Sequence, residues 1–224
     1  MTAAARRQPF GRTALMHTFL VLASMSASAQ DVPGYPPNFD AYDPREVALL
    51  PPYCKYTQLF RERVPGGSNV EESQRWQALF GPTFFAMHHY CWGLMKWNRG
   101  VLLARTSVAK NAYLRYAIEE FDYVIQRAPD EFILLPEILT KKGEVLIRLG
   151  KGPIALISLE RAAELKTDYW PPYAHMSDYY KSTGDMAKAR EWLERGLSFS
   201  PDAPALKRRL AELGEGHMRT KPAS

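Results

Sequence analysis

Cysteine is scarce in this chain: Cys54 and Cys91 are the only two among 224 residues. They form no CxxCH run, so covalently attached haem is not expected. There is also no HExxH helix signature, no nucleophile-elbow serine, no phosphate-cradling glycine loop and no dinucleotide fingerprint. The common hydrolytic, phosphoryl-transfer and nicotinamide chemistries therefore have no foothold, and the chain is not expected to be an enzyme. Charge of one sign is equally scarce. Three of the 29 basic residues (Arg6, Arg7, Arg12) lie in residues 1–29, which hold no acid, and the remainder has 26 basic against 24 acidic residues. The formal charge of +5 thus belongs largely to the front segment and gives little support to a nucleic-acid-binding surface.

What the front segment does contain is ordered. Three arginines precede an apolar run from Ala14 to Met25, and Ala27-Ser28-Ala29 follow before Gln30. A charged start, a short apolar stretch and small residues at a cleavage point describe a secretory signal peptide, with cleavage after Ala29 and a periplasmic or secreted product. An uncleaved anchor is the alternative. Arg6-Arg7 is like a twin-arginine pair, but Gln8-Pro9-Phe10 departs from that motif, which favours the general export route. No cysteine follows the cleavage point, which argues against a lipoprotein, and no later stretch is a candidate membrane span. In an oxidising compartment a Cys54–Cys91 disulfide is expected, with two separate buried thiols as the alternative.

Six prolines within residues 31–52 predict an extended arm over 30–52, pinned to the body by Tyr35, Phe39 and Tyr42 or left as a tether. A helical extension over 53–81 follows, with a short helix from Tyr53 to Arg63. A second helix, capped by Ser68 or Asn69, runs to about Phe80. Residues 82–105 are apolar and aromatic on most sides (Phe84, Phe85, Met87, Tyr90, Trp92, Leu94, Trp97), so they predict a helix covered on most sides. A break near Thr106-Ser107 leads into a long helix over 108–127.

Beyond this the chain repeats. Gly150 and Gly184 lie 34 residues apart, and so do Gly143 and Ser177, Leu146 and Tyr180, Ala155 and Ala189, Leu159 and Leu193, Ala162 and Gly196. Small residues in such register let paired helices approach, large ones fill the space between pairs, and the glycines can end the first helix of each pair. Residues 136–203 resemble two tetratricopeptide repeats, 136–169 and 170–203. The departures are Thr167 in place of the closing proline, and Leu139 and Tyr173 at the tryptophan-type position. His89, Trp92, Gly93, Ala117, Phe121, Val124 and Pro129 fit a degenerate unit over 82–131 with about a dozen extra residues between its helices. Residues 204–214 predict a capping helix and 215–224 a disordered tail.

The resemblance implies an all-α fold, a right-handed solenoid of helical hairpins with an irregular N-terminal helical extension. It also implies a concave groove lined by Glu137, Thr140, Glu144, Asp178 and Lys181 that accepts a protein or peptide, with no cofactor. Alternatively the chain's own N-terminal arm fills the groove, or these positions are simply solvated. A different chemistry is open to His88, His89, Cys91 and Cys54, whose imidazoles and thiolates are zinc-ligand types; His88 and Cys91 share a helix face. A free thiol beside a histidine is also the start of nucleophilic catalysis. Trp92, Lys96, Trp97 and Arg99 could stack nucleobases, but at helical spacing they are better read as core. Glu71-Glu72 and Glu119-Glu120 are expected to be solvated.

Overall fold

The computed structural model describes residues 42–219, with side chains over 42–214. The leader and its cleavage point, Tyr35, Phe39 and residues 220–224 lie outside the described residues. Within them the chain is all-helical, with no strand.

The front of the described chain departs from the extended arm. Pro44–Val47 forms a single turn, α1, whose Asp43 carboxylate accepts from the Arg45 amide at 2.8 Å. Pro52–Tyr56 forms a 3-10 turn. Prolines that cannot sit inside a helix can open one, because the first position needs no amide donor. The short helix expected over 53–63 does not form beyond this turn. Both the amide and the hydroxyl of Thr57 bind the Cys54 carbonyl, closing a turn in place of a helical rung.

From there the boundaries follow the capping residues. Asn69 caps α2 (Val70–Phe80) by accepting from the Glu72 amide, and Gly81, at φ 57°, ends it. A 3-10 turn, Gly81–Ala86, leads into α3 (Met87–Asn98), which continues as a π-turn, Arg99–Leu103. Gly100 allows α4 to cross here, since a Cβ would meet Leu114 and Tyr113 at 3.3 Å. Thr106 caps α4 (Ser107–Ile125). The extra residues expected between these two helices instead lengthen them, and only residues 104–106 separate the π-turn from α4.

The remaining helices are α5 (Leu135–Arg148), α6 (Gly152–Leu165), α7 (Pro171–Ser182), α8 (Met186–Phe199) and α9 (Pro204–Arg219). The helix at the C-terminal end thus reaches Arg219, five residues into the stretch predicted to be disordered. Short connections pair α3 with α4, α5 with α6 and α7 with α8, and α5 also touches α7 as α7 touches α9. Gly143 and Ser177 are both buried, as are Ala155 and Ala189, while Gly150 and Gly184 both have positive φ. Gly143 is small because Leu159 packs on it: a Cβ there would lie 2.6 Å from that side chain. One apolar cluster runs from Tyr42 through Phe121 to Val145, and a second, from Leu159 to Leu213, joins the last helices. No helix among the described residues is long and apolar enough to cross a membrane.

Candidate functional site

Helices α5, α7 and α9 lie side by side and carry a row of charges across their shared face. On α5, Glu144 pairs with Lys141 at 3.1 Å and with Arg148 at 3.5 Å. On α7, Asp178 receives both arms of the Arg209 guanidinium from α9, at 3.0 Å each for Nε and Nη2. Lys181 reaches Glu212 at 3.9 Å. His175, also on α7, feels the charge of both acids. Burial lowers its pKa, although the Glu144 and Asp178 charges act the other way, and Lys141 and Arg209 reinforce the lowering. At one edge Arg148 lies over the Trp97 ring of α3, 4.8 Å from its centroid, and Lys141 lies 5.4 Å from the same ring.

Of the five predicted groove residues, Glu144, Asp178 and Lys181 share this face. Thr140 does not. It is buried, and its hydroxyl turns back to donate to the Pro136 carbonyl at 2.7 Å, so its polar group is spent on its own helix. Glu137 faces inward in part, accepting from the Tyr90 hydroxyl at 2.7 Å. The hydroxyls of Tyr53 and Tyr169 are close enough to feel its charge. Burial, assisted by this carboxylate, pushes the Tyr169 phenol up to about 12 and raises those of Tyr53 and Tyr90 further. These three tyrosines remain neutral at any ordinary pH. The described part of the arm lies against α3, through Tyr42 and Glu46.

The alternative zinc or thiol site is not assembled. Cys54 and Cys91 are joined in a disulfide, with Cα atoms 5.6 Å apart, so neither offers a thiolate as ligand or nucleophile. The histidines beside it are used differently. His89 Nδ1 lies 2.6 Å from Glu120 Oε2 while its ring stacks on Tyr123, and Lys96 donates to the other Glu120 oxygen. Burial alone would raise the Glu120 pKa, but hydrogen bonds from His89 and Lys96 outweigh it and hold the carboxyl below its ordinary value. His88 packs against His89 and edge-on to Trp92. Burial, with the neighbouring His89, pushes its pKa down to about 4. Among the described residues no group of acidic, histidine and cysteine side chains is arranged to hold a metal ion.

Glu120 is the functional-looking residue that sequence patterning misses. It was expected to be solvated with Glu119, yet it is buried between two cationic or protonatable partners on α3. Its position three residues after Ala117 and one before Phe121, both fully buried, places it at the margin of the inward stripe of α4. No protein-family model matches the chain, and no curated protein matches its sequence.

Proposed function

We propose that α5–α6 and α7–α8 are two tetratricopeptide-type repeats, spanning 136–203 in a right-handed solenoid. In this reading α3–α4 is a lengthened third unit and α9 covers the last repeat. The protein is then an exported, non-enzymatic adaptor, periplasmic or secreted, that holds a peptide or partner protein on the face of α5, α7 and α9.

The row Glu144, His175, Asp178 and Arg209, crossing three successive helices, is the observation that supports this best. Mixed charge along such a face fixes the register of a bound chain by complementary pairing, and does so without a deep apolar slot. Glu137, half-buried under Tyr90, and the buried Thr140 are left out of the contact surface.

The test must separate binding from folding, because Asp178 and Arg209 hold each other. Exchanging them, in the double variant D178R/R209D, keeps the internal pair and the net charge but reverses the order of the two charges along the surface. The wild-type chain, isolated from the envelope after cross-linking, is expected to retain a partner in fixed ratio. The exchanged variant, and Glu144→Lys, are expected to lose it while their melting temperatures stay within a few degrees of wild type. Undiminished recovery with both variants would refute the groove.

A further inference from the structure

The ends of the helix array differ in character. Tyr90 and Glu137 meet near the starts of α3 and α5, and Trp97 and Arg148 meet near their ends, so these two helices run the same way. Asp178–Arg209 and Lys181–Glu212 establish the same for α7 and α9. Gly152, just past the end of α5, packs against the Tyr179 ring near the end of α7, so α5 and α7 also run the same way. The connections at residues 99–107, 149–151 and 183–185 therefore gather at one end, and those at 126–134, 166–170 and 200–203 at the other. The connections of the second end carry four acids, Asp130, Glu131, Asp168 and Asp202, against two bases, Arg127 and Lys166, and its exposed apolar residues, Ile133 and Phe199, are not adjacent in the chain.

The connections of the first end carry Arg99, Arg105 and Lys151 against one acid, Asp185, which caps α8, and the end is markedly apolar. Leu102 is 61% exposed, Leu103 62% and Val108 80%, all at the tip of the α3–α4 hairpin. Ile154 and Met186, in the first turns of α6 and α8, are also exposed. Not one acidic residue occurs from Trp97 to Ile118, a stretch that includes Arg99, Arg105, Lys110 and Arg115. Arg99 is engaged by Glu46, Arg105 is exposed beside the apolar tip, and Lys151 is exposed in the α5–α6 connection at the same end.

We propose that this end is a docking face for an anionic lipid bilayer. Leu102, Leu103 and Val108 enter the interfacial zone while Arg105, Lys110 and Lys151 meet the headgroup phosphates. Consecutive apolar residues at a hairpin tip gain by leaving water, and cations of one sign gain near an anionic leaflet. The absence of acids from residues 97–118 distinguishes this hairpin from the mixed-charge row on α5, α7 and α9, which suits a protein. Docking through the hairpin ends would leave the flanks of the helices open.

The experiment uses the full chain with Val108→Cys labelled by a polarity-sensitive dye, the disulfide leaving no other free thiol among the described residues. Vesicles of phosphatidylcholine alone are compared with vesicles of about seven parts phosphatidylcholine to three of phosphatidylglycerol. The dye is expected to shift to the blue and brighten on the anionic vesicles, weakly on the neutral ones, and to return when salt is raised. The same dye at Asp202→Cys, on the opposite end, should stay in water. Adding L102E/L103E to the labelled chain should lower the vesicle-bound fraction at least about tenfold, since two buried apolar groups become charged. A chain that floats with vesicles while the dye at position 108 stays in water overturns the proposal, because another segment is then the anchor. So does equal response to both vesicle types, full binding by L102E/L103E, or a dye that responds to an envelope protein extract and to no vesicle.

Discussion

Between pH 7.5 and pH 5 the protein should lose stability through its buried histidine rings, and replacing His88 should remove the share that His88 contributes. The His88 pKa is pushed down to about 4 by burial and by His89, whereas an unfolded histidine titrates near about 6.5. Above that value both states are neutral and the shift contributes nothing. As the pH falls below it, the unfolded chain takes up a proton that the folded chain refuses until about 4, so the unfolded state is favoured. At pH 5 the difference corresponds to about 2 kcal/mol if the ring were fully removed from water, and about 1 kcal/mol after allowance for the edge that water reaches. Glu120 does not interfere. Its pKa is lowered, so its stabilisation is present above the ordinary carboxylate value and is lost only as the pH falls through the folded value, below this window. Urea unfolding of the wild type should show the midpoint moving down by roughly 0.5 M across the window, given a slope of about 2 kcal/mol per M. His88→Gln should move by less, with His175 still contributing to both curves. Equal falls in the two proteins would mean that the ring is not held neutral, and the account of this cluster would be wrong.

Reduction of Cys54–Cys91 should raise the intact mass by about two units. It should also cost about 3–4 kcal/mol in thermal or urea unfolding, because the bond closes a loop spanning a sequence separation of 37. Lys96→Met should destabilise by about 3 kcal/mol, since it strips a buried carboxylate of its cation, and the double variant K96M/E120M should recover most of that loss; a double-mutant cycle by urea unfolding checks both. Gly93→Ala should cost about 1–3 kcal/mol in the same assay, as its Cβ would fall 2.4 Å from the Phe121 ring. Gly150→Ala, with open space but φ at 73°, should cost about 1 kcal/mol from backbone strain alone.

Apart from the Cys54–Cys91 disulfide, expected because the chain has only two cysteines, what could be read from the sequence was whatever is fixed by neighbours along the chain. Gly150 and Gly184 end helices because of their own conformational freedom, and Asn69, Thr106 and Asp185 start them with their own side chains. The small residue at Gly143 signalled close approach without naming Leu159 as what approaches. Features that depend on a partner from another helix were not legible. Glu120 differs from Glu119 along the chain only in lying at the margin of the inward stripe of α4, and the crossing of α4 over α3 is what brings it to Lys96 and His89. Thr140 carried a polar hydroxyl into a predicted groove, but a threonine inside a helix can bond its own backbone, and burial then costs nothing further. The prolines of the arm were read for what they forbid inside a helix and not for what they permit at its first position.

The specific features of the front half converge on one helix. Along α3, Cys91 is bonded to Cys54, Trp92 donates to the Tyr42 hydroxyl at 2.8 Å, Lys96 donates to Glu120, and the Arg99 guanidinium grips Glu46 at 2.5 and 2.7 Å. These ties run from the middle of α3 into the π-turn, and they draw on three parts of the chain: the arm (Tyr42, Glu46), the 3-10 turn (Cys54) and α4 (Glu120). Such redundancy exceeds what is needed to seat a helix that is already apolar on most sides. It is what an exposed apolar tip requires. Leu102 and Leu103, on a loosely held hairpin, would gain by folding back onto the nearest apolar surface, and the exposed tip would be lost. With α3 fixed along its length, the π-turn that extends it has no freedom to retreat, and the leucines stay in water until something else covers them.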